Sequence, residues 1–363
     1  MKYAYWLVFA MLCLVYSGCG GSHQADGMQA IFAYVTNDSA SSISVFSVDP
    51  NSGQLTATQT VATPGGGATY GEISPSGRFL FVTSQSANAI SSFAIDPVNG
   101  TLSLVPGATV PTGAAPHNIT LDPGGRFLYV ANTASDSVSA YVAGNNGTLT
   151  EIAGSPFASG HTPYSLVTDN SGRFLYVTNR DSNNVSGYAI DSVTGALASI
   201  AGSPFAAGLG ARAIELSRDG KFAFVPDRFG NDITVYRLDP ASGALSQVAG
   251  SPFPAGSDPR SAAADPSGRF LYVPNTVSND VWAFSIDGST GMLTPIAGSP
   301  YPAGMVPLSV EVDPSGRFVY VGNSASDSVS VYSLDVASGG LTPLATVPTP
   351  GSAFSIAISG GGS

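Results

Sequence analysis

The sequence is poor in charged residues and in cysteine, and both shortages exclude classes of function. Charged residues make up 10% of the 363 positions, and acidic residues outnumber basic ones, giving a formal net charge of −11. A protein with this balance repels nucleic acid and anionic membrane surfaces, so we expect neither as a partner. The only cysteines are Cys13 and Cys19. The rest of the chain therefore has no thiol nucleophile, internal disulfide or cysteine-ligated zinc.

Several other signatures are missing as well. Helical periodicity is absent after the first residues, and the sequence contains no G-x-S-x-G, H-E-x-x-H or Walker motif. Loops rich in Asp and Asn recur, but such side chains cap turns far more often than they bind calcium. We therefore expect no metal and no cofactor.

The first residues have the layout of an export signal. Lys2 supplies a positive charge, residues 4–15 form an apolar run, and small residues precede Cys19. The run is too short for a transmembrane helix, which needs about 20 residues. We expect residues 1–18 to be a signal peptide.

The end of this signal resembles a bacterial lipobox, in which the cysteine is acylated. Ser17-Gly18-Cys19 carries the resemblance, and Tyr16 stands where that pattern usually has an aliphatic residue. We expect Cys19 to be lipidated and residues 19–29 to tether an exported protein to the cell envelope. An ordinary signal peptide is the alternative.

One short motif recurs through the rest of the chain. Its fullest form is Gly-Arg-Phe-Leu-Tyr-Val, and a degenerate first copy begins at Ile31. The aromatic residue before the last valine recurs every 47 or 48 residues, at Tyr34, Phe81, Tyr129, Tyr176, Phe224, Tyr272 and Tyr320. The chain therefore contains seven copies of one unit.

Each copy contains four short runs rich in β-branched and aromatic residues, bounded by turn residues. Four strands per repeat of about 40–50 residues are typical of a propeller blade. The sequence thus predicts an all-β fold, a seven-bladed β-propeller of residues 30–363 with four antiparallel strands per blade. The first copy lacks an innermost strand and no strand follows Ala353–Ile358, so we expect the termini to complete one blade and close the ring.

The repeats provide an internal control for functional residues, because a residue shared by all blades is structural. Arginine or lysine follows the motif glycine in six copies, and we assign it to turn support. The position eight residues before that glycine varies instead, and it begins the innermost strand at the channel mouth. It holds Thr69, His117, Tyr164, Arg212, Arg260, Leu308 and, in the closing strand, Phe354. Arginines there can hold a carboxylate or phosphate, and a histidine can act as acid or base.

A second repeat position also stands out. Five residues before the motif glycine lie Glu72, Glu215 and Glu311, three of the four glutamates in the chain. A glutamate beside the arginines can act as general base on a water molecule. These positions predict a site at the mouth of the channel.

The repeat resembles a known family. The pattern Asp-Pro-Ser-Gly-Arg-Phe-Leu-Tyr-Val-x-Asn, with the linker Gly-Ser-Pro-Phe/Tyr, is similar to seven-bladed lactonases, which include 6-phosphogluconolactonase and carboxymuconate cyclase. Proposals for that family place Arg, His and Glu in the central cleft. The resemblance implies such roles for Glu215, Arg228 and Arg260 and, by a looser match, for His117. Ser261 stands where many relatives have histidine.

Two functional hypotheses follow. The first is a lactonase-like propeller that hydrolyses or binds a small anionic lactone or sugar acid, with Glu215 and His117 catalytic and Arg212, Arg228 and Arg260 binding the ligand. The second rests on Tyr-Val-Thr-Asn segments, which also resemble the YVTN propellers of microbial surfaces. It is a non-catalytic scaffold whose partner is an envelope protein. In either case we expect a monomer that meets a membrane only through its lipid anchor.

Overall fold

The chain folds into seven antiparallel sheets arranged as blades around a central channel. The computed structural model describes residues 30–360; the signal peptide, Cys19 and the tether lie outside the described residues. Regular structure within 30–360 consists of strands, and no helix there is long and apolar enough to cross a membrane. The all-β, seven-bladed propeller predicted from the repeats is confirmed.

The strands of each blade follow one another outward from the channel. Blade I contains β1 (Ile31–Asn37), β2 (Ser42–Val48), β3 (Leu55–Ala62) and, from the C-terminus, β32 (Ala353–Ile358). Blade II contains β4 (Ala68–Ile73), β5 (Phe79–Ser84), β6 (Ala89–Ile95) and β7 (Leu102–Pro111). Blade III contains β8 (Pro116–Leu121), β9 (Phe127–Asn132), β10 (Ser137–Ala143), β11 (Leu149–Glu151) and β12 (Phe157–Ala158).

Blade IV contains β13 (Pro163–Thr168), β14 (Phe174–Asn179), β15 (Asn184–Ile190), β16 (Leu197–Ser199) and β17 (Phe205–Ala206). Blade V contains β18 (Glu215–Leu216), β19 (Phe222–Asp227), β20 (Asp232–Leu238), β21 (Leu245–Gln247) and β22 (Phe253–Pro254). Blade VI contains β23 (Ala263–Ala264), β24 (Phe270–Asn275), β25 (Asp280–Ile286), β26 (Leu293–Pro295) and β27 (Tyr301–Pro302). Blade VII contains β28 (Pro307–Val312), β29 (Phe318–Asn323), β30 (Ser328–Leu334) and β31 (Leu341–Pro348).

The outermost strand is continuous in blades I, II and VII but divided in blades III to VI. In blade III, both β11 and β12 pair with β10, and the Gly-Ser-Pro linker that begins at Gly154 separates them. Gly154 has a φ of 90°, a conformation that favours glycine. The fourth strand of these blades is therefore built from two short segments.

The hydrophobic core lies between blades. Every residue of β14 is buried, and successive side chains of a strand point to opposite faces. Leu175 and Val177 pack against blade III, whereas Phe174 and Tyr176 pack against blade V. Each blade thus needs a neighbour on both sides, as in other repeat architectures.

Polar contacts from the repeated motif join neighbouring blades. The Tyr129 hydroxyl donates to the Gly195 carbonyl of the next blade at 2.9 Å. Four other motif tyrosines make the equivalent bond, namely Tyr34, Tyr176, Tyr272 and Tyr320. Arg126 lies over the Phe127 ring and donates to the Ser192 carbonyl at 3.2 Å. The structural role expected for the motif arginines is confirmed.

The ends of the described chain close the ring in blade I. β32 pairs antiparallel with β1, and the hydroxyls of Ser355 and Thr36 lie 3.0 Å apart across the pair. Tyr320 of blade VII donates to the Gly53 carbonyl of blade I at 3.0 Å. The predicted closure by both termini is confirmed.

Candidate functional site at the channel mouth

The innermost strands begin at one end of the channel, here called the upper mouth, and finish at the other, the lower mouth. Near the upper mouth the register between the innermost and second strands shifts in blades I, II, III, IV and VII. In blade V only an isolated bridge from Ala211 to Asp227 precedes β18. A bulge leaves a residue out of the ladder and redirects its side chain. The variable position found in the sequence lies at this irregularity.

His117, Tyr164 and Arg212 form a buried stack across blades III, IV and V. The ring centroids of His117 and Tyr164 are 3.7 Å apart. The guanidinium carbon of Arg212 lies 3.8 Å from the Tyr164 centroid, and Arg212 also donates a hydrogen bond to the Tyr164 hydroxyl. Tyr70 and Phe354 pack against His117, with centroids 4.9 and 5.5 Å from its own. A guanidinium group is thus held against an aromatic wall with little water around it.

Two further arginines meet at one carboxylate. Arg228 Nε lies 3.0 Å and Arg260 Nε 3.2 Å from Asp258 Oδ1. Arg228 follows β19 in blade V, and Arg260 precedes β23 in blade VI. The carboxylate therefore joins adjacent blades while it holds both guanidinium groups at the upper mouth.

The charges at the upper mouth do not cancel. Arg180, whose guanidinium carbon lies 5.8 Å from the Tyr164 centroid, pairs with Asp181 at 2.8 Å. Arg180 thus joins the three arginines at positions 212, 228 and 260, and Asp181 and Asp258 are the carboxylates paired with members of this group. Within this group four guanidinium groups are paired with two carboxylates, so the group itself keeps unpaired positive charge that favours an anionic ligand, although Asp227 and Asp232 lie at the ends of the turn that carries Arg228.

Hydroxyl groups of the second strands fix the backbone of the stack. Thr83 donates to the His117 carbonyl at 2.7 Å, and Thr178 donates to the Arg212 carbonyl at 2.9 Å. Both threonines occupy the same repeat position, in the blade before the residue that they hold. The upper mouth is therefore preorganised by hydrogen bonds between blades.

The hydrogen bonding of His117 defines its protonation. Its Nδ1 lies 3.0 Å from the Tyr164 carbonyl oxygen, which can only accept, so Nδ1 carries the proton. Burial, reinforced by the charge of Arg212, lowers the pKa of His117 well below its ordinary value. The neutral ring therefore presents the lone pair of Nε2, which can accept a proton.

Three buried nitrogen atoms at the upper mouth have no hydrogen-bond partner among residues 30–360: His117 Nε2, Arg212 Nη1 and Arg260 Nε. Arg260 Nε is close to Asp258 but is not aligned for a hydrogen bond. Buried polar atoms in native proteins are almost always satisfied, and leaving one unpaired costs about 1–3 kcal/mol. Two unpartnered donors and one unpartnered acceptor thus belong to residues at the same repeat position of blades III, V and VI.

Glu215 lies deeper in the channel than these groups. Together with Glu72 and Glu311 it lines a cavity of about 280 Å³, and its Oε1 accepts from the Ala264 amide at 3.4 Å. It follows Arg212 by three residues, which corresponds to a backbone span of at most about 10 Å. The structure brings His117, Arg212, Arg228 and Arg260 together but places Glu215 with the other glutamates.

The three channel glutamates titrate near neutral pH. Burial raises the pKa of Glu215 to about 7 and the pKa values of Glu72 and Glu311 to about 8. Mutual repulsion raises the pKa of Glu311 further, while Arg218 opposes the shift. Glu215, Glu311 and Arg218 also line a cavity of about 780 Å³ at the lower mouth. Within residues 30–360 no His, Cys, Asp or Glu cluster has the geometry to hold a metal ion.

A sequence model of one family matches this chain almost from end to end. The family is described as lactonase, seven-bladed β-propeller, and the matches cover residues 15–157, 106–208, 198–306 and 300–357. The chain belongs to this lactonase family. No curated protein matches this lactonase-family chain.

Solved structures share the fold of this lactonase-family chain. A periplasmic gluconolactonase from Pseudomonas aeruginosa has a TM-score of 0.82 at 23% identity, over 92% of this chain and 99% of that one. A proposed 6-phosphogluconolactonase from Bacteroides uniformis has a TM-score of 0.83 at 20% identity, over 92% of this chain and 100% of that one. A similarly described Bacteroides fragilis protein reaches 0.81 at 19% identity, over 93% and 100% of the two chains. At these identities the similarity establishes the fold, and function must be argued from the site.

The sequence did not assign Tyr70, Arg180 or Asp258 to the candidate site. Arg180 occupies the same repeat position as Arg228, a signal that was present in the sequence. Tyr70 follows the variable position, where the other blades have Asn, Ser or Ala. Asp258 lies in a loop, and no repeat pattern shows that its carboxylate contacts two arginines.

Proposed function

We propose that the protein binds a small anionic lactone or sugar acid at the upper mouth and hydrolyses the lactone ring there. The observation that carries this proposal is the set of unpartnered buried groups, Arg212 Nη1 and Arg260 Nε as donors and His117 Nε2 as acceptor. A ligand with an anionic group and a polarised carbonyl satisfies both kinds of group. Membership of the lactonase family supports the same chemistry.

The arginines bind the anion in this proposal. Guanidinium groups present fixed pairs of N–H donors that match carboxylate and phosphate oxygens. Arg212 is buried against Tyr164, so its hydrogen bonds to an anion compete with little water. Arg228 and Arg260 retain donors beyond their shared contact with Asp258.

His117 is the base that we propose for ring opening. Its Nε2 accepts a proton from a water molecule as the water oxygen bonds to the lactone carbonyl carbon. The ring C–O bond then breaks, and the proton passes from Nε2 to the departing alkoxide. One water is consumed, and the product is a hydroxy acid whose new carboxylate faces the arginines.

Glu215 is the second candidate base. With a pKa of about 7, it is partly ionised at neutral pH, as a general base requires. A ligand reaches it only by extending into the channel below Arg212. The lactone carbonyl must therefore lie at the upper mouth if His117 is the base, and deeper in the channel if Glu215 is the base.

We also propose that the protein acts outside the cytosol. The signal-like N-terminus supports export, and a structural relative from P. aeruginosa is described as periplasmic. Ala30 and Gly360, the ends of the described chain, line a cavity beside the lower-side turn at Gly77. The described chain therefore begins on the lower side of the ring, opposite the upper mouth.

Calorimetric titration with D-gluconate, the sugar acid related to the substrate named for one relative, tests the anion site. We expect Arg212→Gln and Arg260→Gln each to weaken binding by about 1.5–3 kcal/mol, roughly ten- to 150-fold, because each removes charge-assisted hydrogen bonds. Arg237→Gln is the matched control, since Arg237 is exposed and donates to Ser289 away from the mouth.

Equal affinity in the wild type and both mouth variants contradicts the proposed site. Failure of sugar acids and lactones alike to bind favours the non-catalytic alternative, in which an envelope protein is the partner.

A further inference from the structure

Two loops stand side by side on the upper face of each blade, around the mouth. One loop enters the innermost strand, and the other joins the second strand to the third. In blade V the Phe229 amide donates to the Leu209 carbonyl at 2.9 Å, and blade VI has the same bond from Val277 to Ser257, at 3.1 Å. Residues at these two positions therefore form the outer border of the mouth.

Large apolar residues occupy this border on one side of the ring. The two positions hold Leu209 and Phe229 in blade V, Val277 in blade VI and Met305 in blade VII, and we call these four residues the apolar rim. The same positions in blades I to IV hold Gly, Ala, Ser, Asp or His. The exposed fractions are 59% for Leu209 and Phe229, 67% for Val277 and 60% for Met305. Single exposed apolar residues are common, but a cluster confined to three adjacent blades indicates a contact surface.

The apolar rim adjoins the arginines of the proposed anion site. The guanidinium carbon of Arg228 lies 4.9 Å from the centroid of the Phe229 ring, and Arg228 contacts Asp258. Thr276, which precedes Val277, donates its amide to the Asp258 carbonyl at 2.9 Å. Phe229 thus adjoins a guanidinium group of the site, and the turn that carries Val277 is bonded to the loop that carries Asp258.

We propose that the ligand class is an anionic amphiphile, a lactone or carboxylate whose apolar arm lies on Leu209, Phe229 and Val277 while its charged head binds the arginines. This inference rests on the proposed function and extends it to specificity. The guanidinium groups at the mouth bind the charged head of the ligand. Covering the exposed apolar side chains with an alkyl or aromatic arm lowers the free energy of the complex. A fully hydrophilic sugar acid leaves the rim uncovered.

Two probes with the same head and different arms test the proposal. Butyrate and octanoate carry identical carboxylates and differ by four methylene groups. A slightly less than half-covered arm strengthens binding by about 1.8-fold per methylene, so we expect octanoate to bind the wild type roughly tenfold more tightly than butyrate in calorimetric titrations at constant ionic strength.

The variants Leu209→Ser and Val277→Ser distinguish the contribution of the apolar arm to the affinity from that of the charged head. Each should reduce the octanoate advantage by about two- to threefold, and the double variant should nearly abolish it, while butyrate affinity stays within about twofold of the wild type. Val193→Ser is the matched control, because Val193 is 83% exposed on a turn of the opposite face. It should leave both affinities unchanged.

The outcomes distinguish this inference from the proposed function. If both probes bind the wild type equally and Arg212→Gln weakens both, the anion site stands and the amphiphile inference is wrong. The inference also fails if the octanoate advantage survives in the Leu209→Ser/Val277→Ser double variant, or if Val193→Ser removes it. If neither probe binds the wild type but D-gluconate does, the amphiphile inference is wrong and the anion site stands; if none of the three binds, both proposals fail.

Discussion

Glu72, Glu215 and Glu311 link the protonation of single residues to the stability of the ring. Burial raises the pKa of each above its value in an unfolded chain, so the folded state favours the neutral carboxyl. The resulting stability is fully present below about pH 4.3, the ordinary glutamate pKa, and is lost as the pH rises through the folded values. His117 has the opposite effect on the pH dependence of stability. Its pKa is lowered in the folded state, so the stability that it contributes is lost as the pH falls.

We therefore expect Glu72→Gln/Glu311→Gln to flatten the dependence of the melting temperature on pH between about pH 5 and pH 8. The wild type should lose more stability than this variant as the pH rises, because the wild type must ionise all three channel carboxyls and the variant only that of Glu215. Because both proteins contain His117, its contribution to the pH dependence cancels when their melting temperatures are compared. Glu151→Gln is the control, since Glu151 is exposed in β11. Parallel curves for wild type and double variant would count against these pKa shifts.

The repeats predict those residues of the candidate site that differ from their equivalents in the other blades. They do not predict how deep a residue lies in the channel or what a loop side chain contacts. His117, Arg212 and Arg260 stood out because they break a repeat position. The same alignment placed Glu215 beside them, but it does not show that Glu215 lines a deeper cavity together with Glu72 and Glu311. Asp258 lies in a loop whose side-chain contacts no periodicity encodes.

At the scale of strands, the repeat predicted the order and burial of the elements but not their irregularities. Alternating apolar residues and glycine turns were sufficient to place four strands in every blade. The division of the outer strand in blades III to VI follows from the Gly-Ser-Pro linker. The bulge at the upper mouth depends on threonine hydroxyls that bond to the next blade, which the sequence alone does not reveal.

β32 is the element on which ring closure depends. Deleting residues 353–363 removes its pairing with β1, exposes an unpaired inner edge, and removes Phe354 from the aromatic wall. We expect a loss of several kcal/mol in the free energy of unfolding, measured by denaturant titration. Deletion of residues 361–363 alone keeps β32 and serves as the control. Unchanged stability in the longer deletion would show that closure does not need this strand.

For the whole molecule, the proposed lipid anchor determines where the propeller works. Cys19→Ser removes the proposed acylation site, and only an acyl chain would hold this acidic ring to a bilayer. We expect the wild type in the membrane fraction and Cys19→Ser in the soluble exported fraction after cell fractionation. A soluble wild type would replace the lipoprotein assignment with an ordinary signal peptide.

His117 at the upper mouth is the base that we propose for lactone hydrolysis. The most direct test is the pH dependence of kcat/KM on a panel of lactones for the wild type, His117→Gln and Glu215→Gln. We predict a profile that is flat from about pH 6 to pH 8, because the His117 pKa lies well below this range, and a loss of about 10²–10⁴-fold in His117→Gln that exceeds the loss in Glu215→Gln. No turnover of any lactone, or a profile with a midpoint near pH 7, the pKa of Glu215, that disappears in Glu215→Gln, would contradict it.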